Sequence, residues 1–185
     1  MIELKCRLIA RGWVPGQSYT RSEFNAAKKE AFADAARFYF QNIRPKHFER
    51  PAVQEYGYAP RQGDPGNPGP KGFKKSYVAR KIAKFGHNRP LVFSGSSLAA
   101  TRMATIRPTS KGAQISVPVG YLNFKPKNFK GDMGQEFKSF SQADIRDIEQ
   151  IIARSLLGRL KRCQQTRTED IGTGGKTPTA YFHGD

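Results

Sequence analysis

The chain has few of the residues that mark disulfide-rich, metal-binding or membrane-spanning proteins. Its two cysteines, Cys6 and Cys163, lie far apart, and its three histidines are scattered. Neither a disulfide framework nor the clustered ligands of a zinc site is therefore indicated. No stretch approaches the roughly 20 apolar residues that span a bilayer, and the N-terminus lacks the layout of a signal peptide. We expect reduced, structural cysteines in a protein that is made as a soluble cytoplasmic product.

Acidic residues are also scarce, and they are missing from a long central stretch. The 185 residues include 32 Lys or Arg against 15 Asp or Glu, for a net charge of +17. No acidic residue lies between Asp64 and Asp132, whereas thirteen Lys or Arg do. This imbalance favours a polyanion or an acidic protein surface as a partner, and charge alone does not distinguish the two.

The sequence also lacks a constellation typical of catalysis. Residues 171–177 (Ile-Gly-Thr-Gly-Gly-Lys-Thr) do not have the spacing of a phosphate-binding loop, and Ser94 has no Gly-x-Ser-x-Gly context. A nuclease metal site would have to use Asp132, Glu136 or Asp144. Asp144 has a simpler explanation at a helix start, where the dipole favours negative charge. We therefore predict no catalytic residue, no cofactor and no metal site.

The N-terminal part of the chain predicts a strand followed by a long helix. Residues 2–11 alternate between apolar and polar side chains, which is the period of a half-buried strand. Thr20-Arg-Ser-Glu23 is a capping-box pattern, and the helix that it opens is expected to run to about Ile43. Small side chains on the apolar face of this helix predict close packing against a sheet: Ala27, Ala31 and Ala35.

Residues 45–72 hold six prolines and have neither a helical nor a strand period. Glycine recurs at every third position from Gly63 to Gly72, a collagen-like spacing that is too short here for a triple helix. A long loop without secondary structure is uncommon in a compact domain unless it has a function. We therefore predict an extended, polyproline-like arm that lies on a neighbouring subunit.

A short basic helix is predicted over residues 74–85, with Tyr77, Ile82 and Phe85 directed inward. Gly86 follows directly and is expected to end the helix, since glycine readily adopts the left-handed conformation of a C-terminal cap.

The remaining elements are a hairpin and a closing helix. Residues 101–107 and 113–119 are predicted to pair as strands around a turn at 109–112. Ser141-Gln-Ala-Asp144 indicates a helix start, and apolar residues keep helical spacing from there to about Arg162.

We therefore expect a single α+β domain over residues 1–162, followed by a weakly ordered, glycine-rich tail at 163–185. Its small, mainly antiparallel sheet is expected to carry the long N-terminal helix and the closing helix.

Residues 121–130 combine aromatic and basic side chains without a period. The candidate contact residues are Tyr121, Phe124, Lys125, Lys127, Phe129 and Lys130. Such a stretch can hold phosphates through lysine and stack bases on aromatic rings. It can equally anchor aromatic rings in a protein partner while its lysines meet an acidic rim. We favour the protein interface, because recognisable nucleic-acid-binding motifs are missing. Contact with DNA is then expected to be weak, salt-sensitive and independent of sequence.

Several short motifs follow one another in the second half of the chain. In order, they are Tyr77-Val-Ala-Arg80-Lys81, Pro90-Leu91-Val92, Ser94-Gly95-Ser-Ser-Leu98, Met133-Gly134-Gln-Glu136 and Ser141-Gln-Ala-Asp144. Each is weak alone, but their order and spacing, with a hairpin between the third and fourth, resemble the tail-completion and virion-morphogenesis proteins of long-tailed phages, including the Mu-like ones. The resemblance covers roughly residues 74–162 and does not extend to the Pro/Gly segment or the tail.

The resemblance implies an α+β structural protein of the virion, assembled in the host cytoplasm, with no enzyme activity and no cofactor. It also implies a homo-oligomeric ring, commonly a hexamer, around a channel that passes DNA, in contact with adjacent neck and tail proteins. Tail completion, tail terminator and neck stopper all stay open. The alternatives are a basic, non-enzymatic nucleic-acid-binding protein and a small phage nuclease.

Overall fold

The computed structural model describes residues 2–5, 19–69, 71–92, 95–118, 120 and 131–173. The helices are α1 (Arg21–Phe38), α2 (Arg44–Lys46), α3 (Ala52–Glu55), α4 (Tyr77–Phe85), α5 (Ser96–Ala100), α6 (Met133–Lys138) and α7 (Gln142–Thr173). The strands are β1 (Ile2–Lys5), β2 (Thr105–Thr109) and β3 (Gly112–Ser116), and shorter helical turns lie at Tyr39–Ile43, Phe73–Lys75 and Thr101–Met103. The predicted α+β class is confirmed.

The strands form an antiparallel sheet in the order β1-β3-β2. The predicted hairpin is confirmed, because β2 and β3 pair directly, but its first strand begins at Thr105 and residues 101–103 form a helical turn. The Thr109 hydroxyl donates to the Gly112 carbonyl at 3.0 Å and accepts the Lys111 amide at 3.2 Å, which closes the turn. Ile115 of the central strand is fully buried. The sheet therefore contributes one well-covered face to the core.

Helix α1 begins with the predicted capping box. The Thr20 hydroxyl accepts the Glu23 amide at 3.2 Å, and the Glu23 carboxylate accepts the Thr20 amide at 2.8 Å. Two amides of the first turn, which have no partner within the helix, are thereby satisfied. A π-helical turn continues α1 to Ile43, where the sequence predicted the helix to end.

Helix α1 is the centre of the packing. It contacts strands β2 and β3 and also α7. Its buried face carries small side chains, which allow close approach of its neighbours: Ala27, Ala31, Ala35 and Ala36. Among the apolar residues that keep helical spacing in α7, Ile148, Ile152 and Leu156 are buried. Their helix packs mainly against α1, however, and not against the sheet as expected.

Polar contacts reinforce the packing between α1 and α7. The Asp34 carboxylate accepts hydrogen bonds from Ser155 at 2.5 Å and from Arg159 at 3.0 Å. Burial alone would raise the pKa of Asp34, but hydrogen bonds from Ser155, Arg37 and Arg159 lower it to about 2. Asp34 is therefore charged at neutral pH and joins the two long helices.

Helix α7 starts at the predicted signal and runs further than expected. The Asp144 amide donates to the Ser141 hydroxyl, and the Ser141 amide donates to the Asp144 carboxylate, each at 3.2 Å. The helix continues to Thr173, so the predicted tail at 163–185 begins within it. Within the part of the chain that the structure describes, no helix is long and apolar enough to span a membrane.

Residues 45–58 fold into the core, so the extended arm predicted for 45–72 is wrong in this part. They contain α2 and α3, and five of their side chains are buried: His47, Phe48, Ala52, Tyr56 and Tyr58. Pro45 lies in the first turn of α2, and Pro51 precedes α3. Proline is tolerated at both places because a helix start leaves its amides without partners in any case. These two prolines therefore lie at the starts of short helices and not in an extended segment.

The following residues fold back onto α4. The Gly63 amide donates to the Asn67 carbonyl at 2.6 Å, and the Val78 amide donates to the Gln62 carbonyl at 3.0 Å. A Cβ on Gly63 would lie 2.3 Å from the Ser76 hydroxyl oxygen, and the residue has a φ of 101°. Only glycine fits this close approach. That this segment contacts a neighbouring subunit stays a prediction.

Helix α4 has the predicted end but a different buried face. Gly86 adopts the left-handed conformation with a φ of 70°, as expected for its terminus. Val78 and Lys81 are the buried residues, whereas Ile82 is 43% exposed, so its predicted inward position is wrong. The helix packs against the turn at residues 63–67 and against the loop after Gly86, and both lie on its Val78 and Lys81 side.

Candidate functional site

The contact residues predicted from the sequence lie outside the described residues. They are Tyr121, Phe124, Lys125, Lys127, Phe129 and Lys130. Among the described residues, the features with possible functional chemistry are three buried polar contacts, a buried histidine cluster and a basic groove.

The first buried polar contact joins α2 to the start of α7. The Lys46 ammonium donates to the Asp144 carboxylate at 2.9 Å, and the Asp144 side chain is fully buried. Burial would raise the pKa of Asp144, but hydrogen bonds from Lys46 and Ser141 act in the opposite direction, and the pKa is lowered. Asp144 thus caps its helix and also holds the segment before α3.

The second contact joins the Pro/Gly segment to α6. The Arg61 guanidinium donates to both carboxylate oxygens of Glu136, at 2.9 and 2.5 Å. The Ala59 amide donates to the same carboxylate at 2.9 Å. Glu136 is buried, and the two-bond geometry fixes its orientation.

The third contact lies between α4 and the loop after it. The buried Lys81 ammonium donates to the Arg89 carbonyl. Burial, with the nearby Arg61 charge, lowers the pKa of Lys81 to about 8. Leu91 has a φ of 52°, which is rare outside glycine. The loop is therefore held in a specific conformation against α4.

His47 is the centre of a fully buried aromatic cluster. Its ring stacks on Tyr56 with centroids 4.1 Å apart, and its Nδ1 is hydrogen-bonded to the Tyr58 hydroxyl at 2.5 Å. Among the described residues its Nε2 has no hydrogen-bond partner. Burial lowers the pKa of His47 to about 4, with Asp144 and Lys46 acting in opposite directions. The ring is therefore neutral at physiological pH.

The carboxylates considered for a nuclease site are each engaged within the fold. The Asp132 carboxylate caps α6 by accepting the amides of Gly134 at 2.9 Å and Gln135 at 3.1 Å. Glu136 and Asp144 are held by the contacts described above. No group of three or more His, Cys, Asp or Glu among the described residues is arranged to hold a metal ion.

A basic groove lies where the Pro/Gly segment meets the start of α4. It has a volume of about 500 Å³ and is lined by Gln62, Pro68, Gly69, Lys71, Gly72, Lys74, Lys75, Ser76 and Arg80. Its four cationic side chains are exposed, and none forms an ion pair with a described residue. The groove lies within the stretch that has no acidic residues, but the sequence predicted the contact at 121–130. The groove depends on the fold-back of the Pro/Gly segment, which has no local sequence signal.

A second cavity lies at the C-terminal end of α4, with a volume of about 530 Å³. It is lined by Glu49, Arg50, Ile82, Gly86, His87, Asn88 and Arg89. Ile82 is its exposed apolar residue, and charges of both signs surround it. An apolar residue within a mixed polar rim is typical of a protein contact surface.

Comparison of the chain with family models, curated proteins and solved structures finds no match.

Proposed function

We propose that this chain is a structural subunit of a tailed-phage particle, which forms a ring that completes the tail or the neck between head and tail. The proposal rests on the ordered motifs between Tyr77 and Asp144, which resemble those of tail-completion and virion-morphogenesis proteins.

The observation that carries the proposal is the place of the motif side chains in the fold. Lys81, Glu136 and Asp144 come from three different motifs, and each is buried in a polar contact that fastens two segments of one domain. Polar motif residues whose side chains are engaged in contacts within the domain act in holding the fold together, and not in a reaction with a substrate. This supports a structural role for the part of the chain that carries the resemblance.

The surface of α4 supports assembly through protein contacts. Ile82 is 43% exposed within the second cavity, and Phe73, in the turn before the helix, is 57% exposed. A subunit with exposed apolar anchors gains by burying them in an oligomer.

Ring formation by the purified full-length protein, freed of nucleic acid, tests the proposal. We expect a closed ring by light scattering and negative-stain microscopy, and the resemblance implies six subunits. Ile82→Asp should weaken the ring. Ile145→Asp is the matched control, because Ile145 is similarly exposed (38%) but lies on α7 and not on α4, and this change should leave the ring intact. A wild-type protein that stays monomeric at all concentrations, and that does not restore joining of heads to tails in an extract lacking it, would overturn the proposal.

A free, non-enzymatic nucleic-acid-binding protein is the second candidate. It is favoured by the thirteen basic residues, without any acidic residue, between Asp64 and Asp132. Tight, sequence-selective binding to naked DNA at physiological salt by a monomer would support it over the particle subunit.

A further inference from the structure

The basic groove presents a concentration of positive charge that the described part of the fold does not neutralise. Lys71, Lys74, Lys75 and Arg80 surround it, and no acidic residue lies among its lining residues. The nearest carboxylate in sequence, Asp64, accepts the Arg61 amide at 2.6 Å and closes the turn before the groove.

We propose that the basic groove binds the sugar-phosphate backbone of duplex DNA without reading its sequence. This inference rests on the shape and charge of the surface, and it does not depend on the role of the protein in a phage particle.

The side-chain charges, and not the helix terminus, provide the attraction. Two amides in the first turn of α4 already have partners, since Val78 donates to the Gln62 carbonyl and Ala79 donates to the Ser76 hydroxyl. The ligand therefore meets mainly the ammonium and guanidinium groups around the groove. Long, exposed cationic side chains are flexible and can pair with any of several phosphates along a polyanion, whereas a single small anion needs its partners at one fixed position.

The groove is held open by its backbone. Gly69 and Gly72 have φ values of 78° and 72°, a backbone conformation that other residues rarely adopt. The close approach of Gly63 to Ser76 fixes the turn at residues 63–67 against the start of α4. The cationic side chains therefore project from a backbone that is already in place before binding.

The lining favours a phosphate polymer over an acidic protein surface. Its uncharged lining residues are glycine, proline, serine and glutamine, and the exposed Phe73 of the adjoining turn is not among them, so the lining itself has none of the apolar side chains on which protein interfaces depend. Duplex DNA carries about one negative charge per 1.7 Å of its axis and can meet several cations at once. The groove also lacks a recognition helix or a β-ribbon that enters the major groove, and this predicts binding independent of sequence.

The test measures binding of the full-length protein to short fluorescent DNA duplexes of unrelated sequence, by anisotropy, between about 50 and 200 mM salt. One variant neutralises the groove (Lys71→Gln, Lys74→Gln, Lys75→Gln). A matched control removes the same charge elsewhere (Lys29→Gln, Lys111→Gln, Lys161→Gln), again from exposed side chains. Circular dichroism verifies that both variants are folded.

We expect the affinity of the groove variant for DNA to be at least about tenfold lower at low salt. The negative slope of log affinity against log salt should become shallower by roughly 2 to 3. The control should change affinity by less than about threefold, and unrelated duplexes should bind equally. Equal losses in both variants would show that net charge alone is responsible, and no loss in the groove variant would place binding elsewhere. Displacement of DNA by polyglutamate as readily as by unlabelled DNA would indicate an acidic protein partner. Each of these three results overturns the inference, and none bears on ring formation.

Discussion

The guanidinium of Arg61 donates hydrogen bonds to both carboxylate oxygens of Glu136, although the two residues are 75 positions apart in the chain. Arg61 belongs to the Pro/Gly segment, and Glu136 belongs to the Met133-Gly134-Gln-Glu136 motif on α6. The pair therefore ties a segment that the resemblance does not cover to one that it does. It explains how a proline-rich stretch without any periodicity becomes a fixed part of the domain.

Breaking this pair should destabilise the protein strongly. In Glu136→Gln the partly buried Arg61 guanidinium loses the negative charge of Glu136, and we expect the free energy of unfolding to fall by about 3 kcal/mol. The control is Glu30→Gln, because Glu30 lies 3.9 Å from Arg159 in a largely exposed pair. The control should cost less than about 1 kcal/mol in urea unfolding. Equal losses in the two variants would mean that the Arg61–Glu136 pair does not fasten the segment.

The buried face of α7 gives a prediction on core packing. Ile152 is 1% exposed, whereas Leu157 on the same helix is 58% exposed. Ile152→Ala should lower the free energy of unfolding by about 2–5 kcal/mol, because it leaves a cavity against α1. Leu157→Ala should change it by less than about 0.5 kcal/mol. A loss below about 0.5 kcal/mol for Ile152→Ala would show that this face is not core.

Local signals in the sequence predicted where α1 and α7 begin and where α4 ends. Thr20 with Glu23, Ser141 with Asp144, and Gly86 act on backbone groups within a few residues, so their effects could be predicted without the fold. The hairpin between β2 and β3 was predictable for the same reason.

The misjudged features depend on contacts between distant residues. Nothing near Arg61 indicates that it meets Glu136, so the fold-back of the Pro/Gly segment could not be derived from its composition. Ile82 was placed inward by its hydrophobicity, but the position of the folded-back segment buries Lys81 instead. The basic groove is a product of the same fold-back, which is why sequence analysis located a charge imbalance but not the site.

The close approach of Gly63 to α4 predicts different responses at two glycines of the same loop. Both have positive φ, but a Cβ on Gly63 would collide with Ser76 and Val78, whereas a Cβ on Gly66 would meet no atom within 4 Å. Gly63→Ala should therefore destabilise the protein by about 1–3 kcal/mol more than Gly66→Ala. Thermal unfolding of both variants measures the difference. Equal effects would show that backbone conformation alone requires glycine at both positions.

The buried His47 makes stability depend on pH between the ordinary pKa of 6.5 and the folded value of about 4. The unfolded chain takes up a proton below pH 6.5, but the folded chain resists it because the ring is buried. Stability should therefore fall as the pH drops through this window, by about 3 kcal/mol in total. Asp144 and Lys46 are the charged groups that act on the ring, and both stay charged in this range.

Urea unfolding at several pH values tests this origin. His47→Asn should be less stable at pH 7 but should lose most of the decline between about pH 6.5 and 4. His87→Asn should retain the decline, because His87 lies outside the buried cluster. A decline that persists in full in His47→Asn would assign it to other groups.

We expect the two basic regions of the chain to have different functions, with DNA bound at the groove and neighbouring proteins contacted by residues 121–130. No lining residue of the groove at the start of α4 is aromatic or large aliphatic, whereas Lys125, Lys127 and Lys130 are interspersed with aromatic residues in the sequence of 121–130. Aromatic residues flanked by lysine suit a protein partner with an acidic rim. A channel that held DNA tightly through all its basic residues would also obstruct passage of the DNA, so we assign the aromatic stretch to neighbouring proteins.

Changing Lys125, Lys127 and Lys130 together to Ala should therefore impair joining of heads to tails more than it weakens DNA binding. The groove variant (Lys71, Lys74 and Lys75 to Gln) should show the opposite pattern, with weaker DNA binding and ring formation retained. The same preparations serve for both measurements, an assembly assay in extracts and anisotropy at several salt concentrations. If the change at 121–130 leaves assembly intact and abolishes tight, sequence-selective DNA binding, the structural role is wrong. A free nucleic-acid-binding protein then accounts for the positive charge, because counterion release at a site of this kind needs no particle around it.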